Sequence, residues 1–322
     1  MEKSLDLDDI SLIPAYLNQG FLGNYDFAIY EGQEKFLPIF TRPIQSIITK
    51  DNCDMWASNG IRPIIPITEE FSIRIQACQR YFTAFTLQEI KDNFIAKPQR
   101  NPISRIYIEH INGHDVDILN TSQKLKSLYG DRLLIMAGPI ANPKTYIDYC
   151  KAGIDYTRVG MSVGSQDNPY KYGFHYPIAG ILMDIRLQLK AAVGFKQSRI
   201  VVDGGVLKQS DIVKCIALGA DCVVIGNEFS KLLESAGPIC KKVVTADTSY
   251  EKVENLSDFP KEVLDKNKFY REYVPGIWNR VNKSLVKDWL PEMYDNFNYA
   301  FMMANARNWM EFKKNINFIV TD

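Results

Sequence analysis

Eight short apolar or β-branched runs divide the first 226 residues of the chain. They are FLPIF (36–40), RPIIPI (62–67), YFTAF (81–85), RIYIE (105–109), RLLIM (132–136), YTRVG (156–160), RIVVD (199–203) and DCVVIG (221–226). They are near-continuous in apolar residues rather than alternating, as expected of strands buried on both faces, which is the habit of parallel sheets. Parallel neighbours need crossover connections, usually helical. Most gaps have that length, and three carry helix punctuation. Residues 141–152 have helical apolar spacing and stop before Gly153; residues 177–194 open on Pro177 and close at Gly194; residues 209–219 end at Gly219. Eight strand–helix units predict an α/β fold of the (β/α)8 TIM-barrel type. Residues 1–239 are assigned to the barrel with a short N-terminal segment. Residues 240–322, rich in Tyr, Phe and Trp and helical near 283–306, are assigned to a C-terminal helical extension packed on it as part of the same domain, because no Gly/Ser linker separates the two.

Charge narrows the function. Lys+Arg and Asp+Glu both number 38, so the chain lacks the basic excess that a broad nucleic-acid surface uses to displace counterions. The start, MEKSLDLDDIS, is acidic and has no apolar core, which argues against a signal peptide. No apolar run reaches the roughly 18 residues of a membrane span. Six cysteines are scattered without a C-x-x-C pair, the pattern of reduced thiols in a cytoplasmic protein. His110 and His114 flank an Asn-Gly turn and have no evident third partner, so no metal site is expected.

In a barrel the chemistry lies at the C-terminal ends of the strands, and a phosphate often sits between the last two βα loops. Here those loops read Asp203-Gly204-Gly205 and Gly226-Asn227, and the loop after strand six adds Gly164-Ser165. Glycines let backbone N–H groups approach an anion closely. Three such corners together favour phosphate binding over simple tight turns, and Asp203 is placed to accept ribose hydroxyls.

Two long segments, 105–165 and 199–226, resemble the IMP dehydrogenase/GMP reductase family, and LDLDDISLIPA (5–15) resembles its N-terminal segment. In size, and in the IMAG and NG elements, the chain is nearer the reductases. The resemblance implies a purine nucleoside 5′-monophosphate as ligand, held at the phosphate by Gly164, Ser165, Gly205, Gly226 and Asn227 and at the ribose by Asp203. It implies a nicotinamide cofactor, NADPH or NADH, beside Glu109, Asn112 and Gly113, and a homotetramer. It also implies a cysteine nucleophile two residues after Gly-Ser and a threonine two residues later. This chain has Asp167 and Pro169 there. Asp167 is open to three readings: a nucleophile or base in altered purine chemistry, a cap of the Asp-Asn-Pro turn, or a position from which the covalent step has been lost. His175, in the same loop, and Glu272, aligned with a glutamate of the reductases, are further catalytic candidates. The family's small residue, Met and Asp in the first loop appear as Arg42-Pro43-Ile44-Gln45, and the reductases' lysine and histidines after strand two as Pro66-Ile67-Thr68. Two alternatives stand beside the altered enzyme: a catalytically silent nucleotide-binding barrel, and an FMN-dependent oxidoreductase, whose phosphate-binding half is similar to residues 203–226.

Overall fold

A computed structural model describes residues 5–16, 23–98, 103–161, 173–244, 248–253, 269–282 and 284–321. Eight strands form one parallel sheet: β1 (Ile39–Thr41), β2 (Ile64–Ile65), β3 (Phe82–Phe85), β4 (Arg105–Glu109), β5 (Leu134–Ile140), β6 (Tyr156–Val159), β7 (Arg199–Asp203) and β8 (Cys222–Ile225). Each pairs with the next from β2 to β8, and β8 pairs with β1. Two hydrogen bonds join β1 to the approach to β2, Thr41 N–H to Arg62 O at 2.9 Å and Arg62 N–H to Ile39 O at 3.0 Å. The sheet is therefore a barrel.

All eight predicted strands are present, with shifted ends. The run 36–40 is split: Phe36 ends a hairpin formed by Ile29–Glu31 and Glu34–Phe36. Pro38, which has no N–H to offer a neighbour, gives its carbonyl to Val223 N–H at 3.0 Å. Helices follow in alternation: α1 (Cys53–Ser58), α2 (Phe71–Ala77), α3 (Leu87–Ile90), α4 (Val116–Tyr129), α5 (Pro143–Lys151), α6 (Ile178–Ala191), α7 (Gln209–Ala217) and a single turn, α8 (Asn227–Ser230). Their starts are set by local chemistry. Asp115 caps α4, and Asn142 caps α5 with Pro143 just inside it.

Strand alternation sorts two cores. Ile106 and Ile108 of β4 face the helices. Phe40, Phe82, Tyr107, Met136, Tyr156, Val201, Cys222 and Val224 fill the barrel interior. There Phe82 and Tyr156 meet edge to face at 5.0 Å, a favoured aromatic geometry. The hairpin closes the N-terminal end. Its Glu31 reaches Arg62 at 2.6 Å and Arg105 at 3.1 Å and accepts the Tyr156 hydroxyl.

The chain after residue 240 holds more than the predicted helix. It begins with a four-stranded antiparallel sheet ordered Thr248–Lys252, Cys240–Val244, Phe269–Val274, Ile277–Arg280. Then come α9 (Val286–Met303) and α10 (Trp309–Asn315). Helix α9 packs on α7, and its Trp289 meets Phe229, which in turn lies 4.7 Å from Trp56 of α1. It thus fills the outer-ring position that the single turn of α8 leaves between α7 and α1. Last, Asn317–Val320 pairs antiparallel with the N-terminal strand Ile10–Ile13. No helix among the described residues is long and apolar enough to cross a membrane.

Candidate active site

Four charged side chains gather at the C-terminal rim. Asp203 ends β7 and Arg158 lies in β6; both are buried, and their side chains form an ion pair. Burial works to raise the Asp203 carboxyl, but Arg158, helped by Arg42, outweighs it and holds the group below the usual carboxylate range. Burial likewise opposes the charge on Arg158, and Asp203, Tyr107 and Glu109 more than offset it. Both shifts favour the ionised pair. The guanidinium carbon also lies 4.5 Å from the centre of the Tyr107 ring, a cation–π contact.

Glu109, partly buried, ends β4. Burial raises its carboxyl above the usual range, against the opposing pull of Arg158, a hydrogen bond from Tyr107 and Arg42. Arg42 directly follows β1. Its N–H bonds Ile225 O at 3.0 Å, and its Nη1 donates to the Tyr273 hydroxyl at 2.9 Å. Tyr273 arrives from the antiparallel sheet, whose strand Phe269–Val274 is tied to the first loop by Ser46 Oγ donating to Tyr273 O at 2.7 Å.

Nε and Nη1 of Arg158 are buried and have no hydrogen-bond partner among the described residues. A buried guanidinium with two unmatched donors is costly unless something accepts from them. The mouth is therefore suited to a polar ligand that presents hydroxyl or carbonyl oxygens.

The predicted site residues divide. Asp203 and Glu109 face each other's charges at the mouth, as a rim site requires. Gly204 and Gly205 have φ of +106° and +74°, so the turn after β7 demands glycine on backbone grounds alone. At Gly226 a Cβ would collide with the Tyr273 hydroxyl and lie 2.9 Å from Arg42 Cδ; this glycine makes room for two side chains. Asn227 accepts from Asn279 Nδ2 at 2.8 Å and so faces the antiparallel sheet.

Asn112 and Gly113 are built into a turn. Asn112 N–H bonds His110 Nδ1 at 3.1 Å, Asn112 Oδ1 accepts His114 N–H at 3.0 Å, and Gly113 O accepts the Tyr149 hydroxyl at 2.6 Å. His114 accepts Ala141 N–H at 3.1 Å, and burial lowers its pKa, so the ring is neutral and structural. His175 is exposed in the segment leading into α6. Glu272 lies on the opposite strand face from Tyr273 and accepts Gly276 N–H at 2.8 Å, capping its own hairpin. Gly164, Ser165, Asp167 and Pro169 lie outside the described residues. All six cysteines are buried. Burial raises the thiol of Cys222, inside the barrel, to about 12, so it offers no thiolate near neutrality. Among the described residues no three His, Cys, Asp or Glu side chains are grouped to hold a metal.

Sequence reasoning missed Arg158, Arg42 and Tyr273. Arg158 carried a usable signal, because a charge inside an otherwise apolar strand needs a partner. Tyr273 carried none, since its neighbours come from residues far away in the chain.

A parallel eight-stranded barrel with a polar, charged cluster at its C-terminal rim defines the class of barrel proteins whose site lies in the βα loops. Within that class the chain belongs to the IMP dehydrogenase/GMP reductase family, whose domain matches residues 92–321. It is similar to the GMP reductase of Bacillus licheniformis, at 26% identity over 99% of this chain and 97% of that one. It is also similar to GMP reductases of Helicobacter pylori (25%, covering 99% and 96%) and Streptococcus suis (25%, covering 98% and 94%).

Proposed function

We propose that the chain is an enzyme of purine nucleotide metabolism that binds a purine nucleoside 5′-monophosphate at the rim and acts on the base with a reduced nicotinamide cofactor, NADPH or NADH. The observation that carries this reading is the Arg158–Asp203–Glu109 cluster, with its unmatched buried donors, in a barrel of this family. The relatives' name, GMP reductase, supports GMP as the first substrate to try.

The residues divide the work by charge. Asp203, held ionised by Arg158, accepts ribose hydroxyls. Nε and Nη1 of Arg158 are donors for a carbonyl or hydroxyl of substrate or cofactor. Glu109, with its raised carboxyl, suits the cofactor ribose and holds a proton more readily than an exposed glutamate. When bound, the nicotinamide would supply hydride to purine C2 while the 2-amino group leaves as ammonia, taking a proton; the protein's own part is placement and a fixed electrostatic field.

With no cysteine positioned as a nucleophile, the chemistry at C2 is altered from a thiol-adduct route, and Asp167 is the residue of the strand-six loop to test. By the same resemblance we place the protein in the cytoplasm as a homotetramer.

The test is incubation of the purified protein with GMP and NADPH, following reduced-nicotinamide absorbance. Consumption dependent on GMP is the expected result. Binding of GMP by calorimetry without consumption would instead establish a silent binding barrel, and a yellow purified protein would point to flavin.

A further inference from the structure

We propose that Arg42 reads the 5′-phosphate, so that this chain separates nucleotides from nucleosides by a side chain rather than by backbone amides alone. The inference rests on the purine-monophosphate reading above and deepens it. It starts from Gly226, the corner at which the sequence suggests bare N–H groups for an anion. In the structure that corner is overlaid by the Tyr273 hydroxyl and the Arg42 side chain.

The Arg42 backbone is clamped to β8 by its N–H bond to Ile225 O at 3.0 Å, so the guanidinium is carried by barrel strands and not by a free loop. Its hydrogen bond goes to a neutral phenol, Tyr273. Among the described residues no carboxylate lies within ion-pair distance of it. The ion pair beside it does not involve Arg42: Asp203 is bonded to Arg158. Arg42 nonetheless acts on the same mouth, since its charge helps lower the carboxyl of Asp203 and opposes, without overcoming, the rise of Glu109.

A half-buried guanidinium with donors to spare, fixed at the phosphate corner of a barrel, suits a phosphoryl group. Its planar fork matches two phosphate oxygens, and charge-assisted hydrogen bonds are the stronger kind. The Tyr273 hydroxyl, bonded to Nη1, keeps the fork facing the corner and can itself donate to the anion. A nucleoside offers Arg42 only a neutral 5′-hydroxyl, without the anion.

The experiment is calorimetric titration of the full-length protein and of R42A and R42Q with GMP, guanosine and ribose 5-phosphate, with the melting temperature of each variant measured as a folding control. Wild type is expected to prefer GMP to guanosine. Both variants are expected to lose roughly 10- to 100-fold in GMP affinity, as for loss of a charged hydrogen bond, with guanosine binding unchanged within about twofold. R42K, which keeps the charge but not the fork, is expected to recover part of the loss. GMP binding that is equal in wild type, R42A and R42Q overturns the role of Arg42 and leaves the purine reading standing. Binding of ribose 5-phosphate through Arg42 without any binding of GMP overturns the purine reading and leaves the anion assignment standing. Failure of wild type to bind any of the three overturns both.

Discussion

Two glutamates show how one barrel sets opposite protonation at its two ends. Glu31 plugs the N-terminal end. Burial alone would raise its carboxyl, but Arg62, with Tyr156 and Arg105, brings it from 4.5 down to about 2. Glu109 at the other end has a raised carboxyl, because burial there outweighs the pull of Arg158. The signs of their contributions to stability follow. A carboxyl lowered on folding stabilises the protein above its unfolded pKa, and the contribution fades as pH falls through the folded value. Glu31 should therefore contribute on the order of 3 kcal/mol at neutral pH, lost between about pH 4.5 and 2. A carboxyl raised on folding does the reverse: its cost appears as pH rises past the unfolded value and through the folded one. In melting experiments from pH 2 to 7, Glu31→Gln is expected to melt well below wild type at pH 7, with the gap closing toward pH 2. Glu109→Gln is expected to melt at or above wild type at pH 7, at the expense of ligand binding. A Glu31→Gln deficit that stays constant with pH would show that packing, not charge, holds the plug.

At the scale of elements, legibility followed burial. The barrel strands could be read because both faces are covered, which leaves unbroken apolar runs such as RIVVD and DCVVIG. The antiparallel sheet could not, because CKKVV and TSYEK mix charges into both registers and IWNR is a four-residue run half polar. What docks that sheet is also invisible in a linear reading. Arg271 is buried, has no carboxylate partner among the described residues, and donates to the carbonyls of Gly237 at 2.8 Å and of Ser230 and Leu232, each at 2.6 Å. Burial lowers its pKa to about 10. This side chain joins the sheet to the end of the barrel's last unit, and the next residue but one is Tyr273 at the mouth. The site was therefore half legible. Asp203 and Glu109 could be placed by their strand ends, whereas Tyr273 depends on a docking arginine with no sequence signature. Arg271→Ala is expected to cost roughly 2–4 kcal/mol by leaving buried carbonyls unpaired. It should also open the sheet to limited proteolysis before the barrel unfolds. Cleavage and unfolding that occur together would mean that sheet and barrel form one cooperative unit.

For the whole molecule, the decisive fact is that the ring of helices is completed from the far end of the chain. The last barrel unit ends in one turn, α8, and the space beside it is taken by α9 after the entire antiparallel sheet has intervened. Val286, Leu290, Met293, Phe297 and Phe301 form the buried face of α9 at helical spacing. Trp309 of α10 then packs against Phe301 at 4.7 Å and Phe297 at 4.9 Å, and its indole N–H reaches Phe27 O at 2.9 Å. Beyond it, Asn317–Val320 supplies the partner of Ile10–Ile13. Each fully buried large side chain contributes about 1.5–3 kcal/mol, so this handful together is comparable to the 5–15 kcal/mol that typically separates folded from unfolded chains. Removing residues 284–322 should therefore abolish cooperative folding rather than trim an appendage. The shortened protein is expected to bind a hydrophobic dye strongly and to show no sharp thermal transition, with near-ultraviolet circular dichroism lost while far-ultraviolet signal persists. A soluble truncated protein melting within a few degrees of the full chain would show that the ring needs no helix at that position.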